Sequence, residues 1–205
     1  MNPSRRVAVL GGVRIPFCKN NTAYFDVGNL GMSIKTLGAL VEKFGLQGEV
    51  LGEVAMGAVL KHSSDWNLAR EATLSSGLSP LTPGITLQRA CGTGLDSCIT
   101  IANKIALGQI EAGIGGGSDT TSDVPIAVNK RLRRRLLDIN MAKTFGARMA
   151  AAFKGFRFSE LKPEFPGVAE PRTGKAMGDH CEAMAKEWQI ARADQDLLAF
   201  ESHQK

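Results

Sequence analysis

Short apolar runs alternate with segments of helical apolar spacing up to about residue 117, and this alternation constrains the fold more than any single motif. Residues 5–13 (RRVAVLGGV) read as a buried strand ending at Gly11-Gly12. Leu30, Ile34, Leu37 and Val41 mark one face of a helix, with Gly45 as its stop. Residues 53–60 (EVAMGAVL) read as a second buried strand. Asp65 is a candidate N-cap for a helix through Ser76, with Gly77 as its stop and Pro80 beyond. Residues 84–89 form a third strand. A helix from Thr93 to Leu107 follows, with Leu95, Cys98, Ala102 and Ile105 directed at the core and Gly108 closing it. Residues 112–117 make a fourth strand of small residues. The order βαβαβαβ predicts a layered α/β domain on a mainly parallel sheet. No internal repeat is visible.

Composition shifts near Pro125, which divides the chain into a core domain over 1–125 and a second region over 126–205. Residues 128–153 are basic and helix-compatible. Residues 156–175 contain three prolines and mixed polarity and read as an irregular loop. A helical tail begins near Asp179, and its last helix reaches Lys205 without a cap, so the pattern reads as a chain that stops inside an element.

The hydrophobic fraction of 43% suffices for a buried core, and neither it nor the 23 glycines suggests disorder. No apolar run is long enough to cross a bilayer, and residues 7–10 are too short for a signal-peptide core. Cys18, Cys91, Cys98 and Cys181 form no C-x-x-C pair and no metal spacing. Cys91 and Cys98 would stand about 10 Å apart along a helix, beyond disulfide reach. The set reads as reduced thiols in a soluble, cytoplasmic protein with no metal. The net charge is +5, and the segment Lys130-Arg131-Leu132-Arg133-Arg134-Arg135 alone holds five cations. The excess is local rather than diffuse, which argues against general nucleic-acid binding.

The chemistry concentrates at Ala90-Cys91-Gly92-Thr93-Gly94, where a β-type run turns into a helix. That layout sets the Cys91 sulfur beside a helix N-terminus, whose free N–H groups and dipole favour a thiolate. A helix end contributes only ~0.3–1 kcal/mol, so an efficient cysteine nucleophile also requires a base, usually His. Three histidines are present, His62, His180 and His203, and none falls in a recognisable Cys–His motif. The alternative for Cys91 is a buried small hydrophobe. A thiol-redox role lacks a resolving partner at suitable spacing. Cys18 and Cys181 read as structural. The run Gly115-Gly116-Gly117 lacks the spacing and Lys-Ser/Thr of a phosphate loop and reads as close packing beside the cysteine's helix.

These residues resemble the thiolase family over nearly the whole chain, but only over the first half of a typical member. The opening RVAVLGGVRIPF looks like the family's first strand. Asn67-Leu68-Ala69-Arg70 resembles the segment before the nucleophile strand. Ala90-Cys91-Gly92-Thr93-Gly94 resembles the acyl-accepting C-x-S-G motif, with Thr93 for the commoner serine. Residues 115–122 (GGGSDTTS) resemble the G-G-x-E-S-M-S strand end, with Asp119 where glutamate is usual. Met177-Gly178 and the residues from Arg192 to Asp196 resemble the M-G…S-R-x-x-Q-D signature of the loop domain. Asp123-Val124-Pro125-Ile126 and the basic insertion are similar to the branch with fatty-acid oxidation β-subunits.

The resemblance implies a thiolase-like fold: the N-terminal βαβαβαβ half, a partial loop domain, and no C-terminal half. It implies thiolysis of a 3-ketoacyl-CoA, or the reverse Claisen condensation, in fatty-acid metabolism. Cys91 is the expected nucleophile, coenzyme A and acyl-CoA are substrates rather than bound cofactors, and Met177 is expected to line the pantetheine pocket. The family's usual His before the Met-Gly pair is Ala176 here, and His180 reads as structural or exposed. The G-H-P, N-E-A-F and C-x-G motifs that complete the family's site do not occur in this sequence, and a last core strand is also expected to be missing. The 205 residues alone are therefore expected to be inactive. The complete protein is expected to be a homodimer or tetramer, with a β-oxidation partner subunit as a further candidate. A ketoacyl synthase is the nearest alternative enzyme, and a non-catalytic half that pairs with a C-terminal partner is the alternative outside catalysis. The run from Lys130 to Arg135 reads as a solvated helix face, or as a docking helix for the coenzyme's phosphates, a partner subunit or an anionic membrane surface. Replacing Arg133, Arg134 and Arg135 by Ser is the corresponding test.

Overall fold

In a computed structural model describing residues 5–205, three parallel strands organise a first unit that runs through Ala127. They are β1 (Glu53–Gly57), β2 (Gly84–Leu87) and β3 (Gly113–Gly117), in the order β2-β1-β3. Central β1 sets Val54 beside Gly84 on one side and beside Ile114 on the other. Three helices, α1 (Asn29–Lys43), α2 (Leu68–Leu74) and α3 (Thr93–Ala106), alternate with them. Alternation along β1 divides its side chains between two faces. Val54 and Met56 enter the main core with Leu37 and Val41 of α1, Ala69 and Ala72 of α2, and Leu78. On the opposite face, Gly115 admits the α3 backbone, since a Cβ there would stand 2.6 Å from the Cα of Cys98, and Gly57 leaves room for the Thr93 methyl.

The segment 5–13 differs from expectation. It forms no strand, and Val9 and Leu10 are 92% and 83% exposed. Its ends are tied down, since Arg5 N–H donates to the Ala106 carbonyl and Lys43 Nζ to the Gly12 carbonyl. A strand requires a neighbouring edge, and the β2-β1-β3 sheet pairs with none of these residues. The apolar run thus has β propensity without a ladder.

Two smaller expectations also change. Asp65 lies in a short 3₁₀ turn (Ser63–Asp65), and α2 starts after Asn67. The core-facing stripe of α3 is Thr93, Ser97 and Ile101, whereas Leu95 and Cys98 are exposed. The glycine floor of β3 explains the shift. Small Thr93 and Ser97 let α3 lie close to the sheet and Ile101 fills the space over Gly113, while Leu95 and Cys98 face away.

The second unit runs from Val128 to Lys205. It contains α4 (Lys130–Met141), α5 (Phe145–Phe153), α6 (Met177–Glu187) and α7 (Arg192–Gln204). Asn129 caps α4 by accepting from the Arg131 and Leu132 amides, and its Nδ2 donates to the Glu160 carbonyl. Thr144 caps α5 through the Ala147 amide.

Arg135 departs from the reading of its basic run as a solvated or docking face. Its guanidinium donates to both Glu160 carboxylate oxygens, at 2.8 and 3.1 Å, and its Nη1 to the carbonyls of Ala151, Ala152 and Lys154 at the end of α5. A fork of five donors meets a buried carboxylate and a helix C-terminus at once. The hydrogen bonds from Arg135 hold the Glu160 carboxyl below the usual carboxylate range, against the opposing effect of burial. A lowered folded-state value stabilises the fold above the ordinary carboxylate range, and the contribution disappears as pH falls through the lowered value. The helical signal of the second unit is therefore expected to weaken on acidification below about pH 4. Glu160→Gln should melt earlier at neutral pH and lose much of that acid dependence, as read by circular dichroism across pH.

Candidate active site

Cys91 sits on an elbow at the carboxyl ends of the parallel strands, the edge where α/β sheets gather ligand-binding residues. β2 ends at Leu87, and α3 begins at Thr93 with Gly92 as its N-cap. Between them Ala90 adopts a left-handed backbone, φ +41°, which costs a residue bearing a Cβ. The turn is closed from inside. The Gly92 and Thr93 amides donate to the Arg89 and Ala90 carbonyls at 2.9 and 3.1 Å. The Thr93 hydroxyl accepts from the Arg89 amide at 2.8 Å and donates to the Ala90 carbonyl at 2.7 Å. Arg89 also reaches forward to Asp96 in the first turn of α3, 3.2 Å away. Cys91 stands exposed at the apex of this knot. Two of the amides that a helix start offers to the sulfur are thus engaged within the elbow.

The neighbouring strand ends are laced together by side chains. Asp119, two residues past β3, accepts from the Val59 amide at 2.8 Å and the Leu60 amide at 2.9 Å, which draws residues 58–60 out of β1 into a loop. Ser118 bonds the Ser33 hydroxyl and the Asn29 carbonyl of α1. Lys61 donates to the Ala58 carbonyl and to Gln88 Oε1, both at 2.6 Å, and so joins this loop to the strand leading to Cys91. His62 Nε2 lies 2.9 Å from Asp123 Oδ1. The motif Gly117-Ser118-Asp119 was visible in the sequence, but the Lys61–Gln88 and His62–Asp123 pairs join residues far apart along the chain and had no local signal.

Met177 belongs to the second unit, where it is the first residue of α6 and 73% exposed. His180, one turn on, stands 3.7 Å from Glu170. Arg192 and Asp196 pair across one turn of α7 at 2.7 Å. His203 bonds the Ala199 carbonyl. A basic cleft of about 450 Å³ lies between α4 and α5, lined by Arg131, Arg134, Arg135 and Lys154 with Asp138 and Glu160. It contains no residue of the elbow. No helix of the described residues is long and apolar enough to cross a membrane.

Comparison with known proteins assigns this arrangement to a family. The family described as "Thiolase, N-terminal domain" matches residues 7–205. A 3-ketoacyl-CoA thiolase of Photorhabdus laumondii is 39% identical over 198 residues, covering 97% of this chain and 45% of the relative. The protein of the same description from Shewanella oneidensis is 38% identical with the same coverage. The chain spans about half the length of the curated relatives it matches. The crystal structure of the Bacillus anthracis acetyl-CoA acetyltransferase superposes with a TM-score of 0.77 at 22% identity, over 100% of this chain and 47% of that one, a likeness of fold. The parallel sheet, its intervening helices and the family match over residues 7–205 together place this chain in the thiolase family, in its N-terminal domain.

Proposed function

We propose that this chain contributes the nucleophile of a thiolase-type acyl transfer. The observation that supports the reading is the exposure of Cys91 at the strand-to-helix elbow of a thiolase N-terminal domain. The Cys91 sulfur attacks the 3-keto carbon of a 3-ketoacyl-CoA. The bond between that carbon and C2 breaks, C2 takes a proton, and acetyl-CoA departs. The acyl group stays on Cys91 as a thioester until the thiol of a second coenzyme A attacks it, forms the new acyl-CoA and returns the proton to Cys91. Run backwards, the same steps make a Claisen condensation. Coenzyme A and acyl-CoA enter as substrates, and fatty-acid oxidation in the cytoplasm is the proposed setting. Met177, exposed at the start of α6, is proposed to touch the pantetheine arm.

Exposed Leu95 and Ile99 on α3 favour burial of this helix against a twin chain, so the complete protein is proposed to be a homodimer or higher oligomer. On α4, Lys130, Arg133 and Arg134 form no ion pair with a carboxylate among the described residues, whereas Arg135 is held by Glu160. A combined Lys130→Ser, Arg133→Ser and Arg134→Ser variant that keeps Arg135 is expected to weaken binding to anionic liposomes or a β-oxidation partner subunit. Unchanged binding in a sedimentation assay would reject a docking role for these cations.

The nucleophile reading is tested by peptide mass spectrometry after incubation with acetyl-CoA. An acetyl group on the peptide containing Cys91, absent from Cys91→Ala, is the expected result. A chain acetylated only elsewhere, or not at all, removes the reading.

A further inference from the structure

We propose that Thr93 is a positioning residue for Cys91, a role that rests on Cys91 being the nucleophile. Three features meet at this side chain. Its hydroxyl is both acceptor and donor inside the elbow, taking the Arg89 amide at 2.8 Å and giving its proton to the Ala90 carbonyl at 2.7 Å. One partner is the amide of the residue before Ala90 and the other is the carbonyl of Ala90 itself, the residue held at φ +41°. The side chain is 4% exposed, and its methyl fills the space over Gly57, where an added Cβ would stand 2.6 Å from Thr93 Cγ2.

The consequence is a clasp. A residue with a Cβ leaves the left-handed region unless its surroundings hold it there. One buried hydroxyl ties the N–H of Arg89 to the carbonyl of Ala90, spanning the two residues that make the turn, and so fixes the direction in which the next residue leaves it. That residue is Cys91. The Thr93 amide, donating to the same Ala90 carbonyl, closes the ring from the backbone. Gly57 of the central strand bounds the methyl from below, so the clasp rests on the sheet rather than on a mobile loop. A hydroxyl is required at position 93, and the methyl adds packing. Thr93 does not touch the reacting atoms; it sets where the sulfur points.

The test compares Thr93→Val, which keeps the shape and removes the hydroxyl, with Thr93→Ser, which keeps the hydroxyl. Two measurements are made on the 205-residue chain: hydrogen exchange at the Arg89 amide, and the rate of acetylation of Cys91 by acetyl-CoA. In that reaction the sulfur forms a bond to the acetyl carbon, the bond from that carbon to the coenzyme sulfur breaks, and the coenzyme leaves with the thiol proton. Exposed Cys98 and Cys181, titrated with iodoacetamide, serve as references within the same molecule. Thr93→Val is expected to deprotect Arg89 and slow Cys91 acetylation by roughly tenfold or more, since a displacement of about 1 Å at a reacting atom costs up to ~10²-fold. Cys98 and Cys181 should alkylate at wild-type rates. Thr93→Ser should restore both Arg89 protection and acetylation. Unchanged acetylation in Thr93→Val overturns the inference. So does Thr93→Ser failing to restore it, which holds even if Thr93→Val unfolds and its Cys98 alkylates faster. If wild-type Cys91 takes no acetyl group, the nucleophile reading fails instead, and Arg89 exchange still decides whether the clasp exists.

Discussion

Purified alone, the 205-residue chain will accept at most one acetyl group on Cys91 and will cleave acetoacetyl-CoA no faster than the uncatalysed thiolysis. A thiol nucleophile needs a base to take its proton and an acid to return one to the leaving carbon. The described histidines are engaged elsewhere: His62 with Asp123, His180 beside Glu170, and His203 on the Ala199 carbonyl. No side-chain base is hydrogen-bonded to the Cys91 sulfur among the described residues. Positioned acid–base groups contribute ~10²–10⁴-fold each, so losing two of them removes turnover while leaving a slow, stoichiometric acylation. The assay is loss of the acetoacetyl-CoA enolate absorbance with free coenzyme A present, with mass spectrometry of the same sample. Sustained cleavage over many turnovers per chain would show that these residues hold a complete site.

Replacing Gly115 by Val is expected to lower the melting temperature sharply, while Gly116→Ala, one residue along the same strand, leaves it nearly unchanged. A Cβ on Gly115 would meet the backbone of α3, 2.6 Å from the Cα and 2.7 Å from the N of Cys98. Backbone atoms in a packed helix do not swing aside as a side-chain tip does. Overpacking of this kind costs typically ~1–3 kcal/mol and occasionally more. At roughly 2–4 °C per kcal/mol for a chain of this size, a drop of about 2–12 °C follows. A Cβ on Gly116 meets nothing within 4 Å, and substitutions of that kind fall within about 0.5 kcal/mol. The effect reaches function because α3 carries the elbow. A displaced α3 also moves Thr93, and Cys91 acetylation should slow in Gly115→Val. Equal melting temperatures for the two variants would contradict the close approach of α3 to β3.

Local signals in the sequence located most of the framework. Glycines ended α1 and α3 where the periodicity stopped, and Gly108 adopts the left-handed conformation, φ +70°, that such a stop requires. The elbow was legible because its elements are neighbours in the chain: a β run, a cysteine, two small residues and a helix. The inward face of α3 was not. Periodicity marked Leu95 and Cys98 as core, but which stripe turns inward depends on the surface opposite, and β3 presents glycines.

What the sequence determined by itself is the alternation of strands and helices and the placing of a cysteine at a turn. Each follows from residues within a few positions of one another, where propensity, capping and spacing act. Tertiary structure alone decided that the run from Val7 to Leu10 lies unladdered, that Arg135 is consumed by Glu160, and that Asp119 and Lys61 bind the strand ends around Cys91. Those outcomes depend on which distant residue arrives to meet a hydrogen-bonding group, and a strand edge or a guanidinium has no state of its own until its partner is in place.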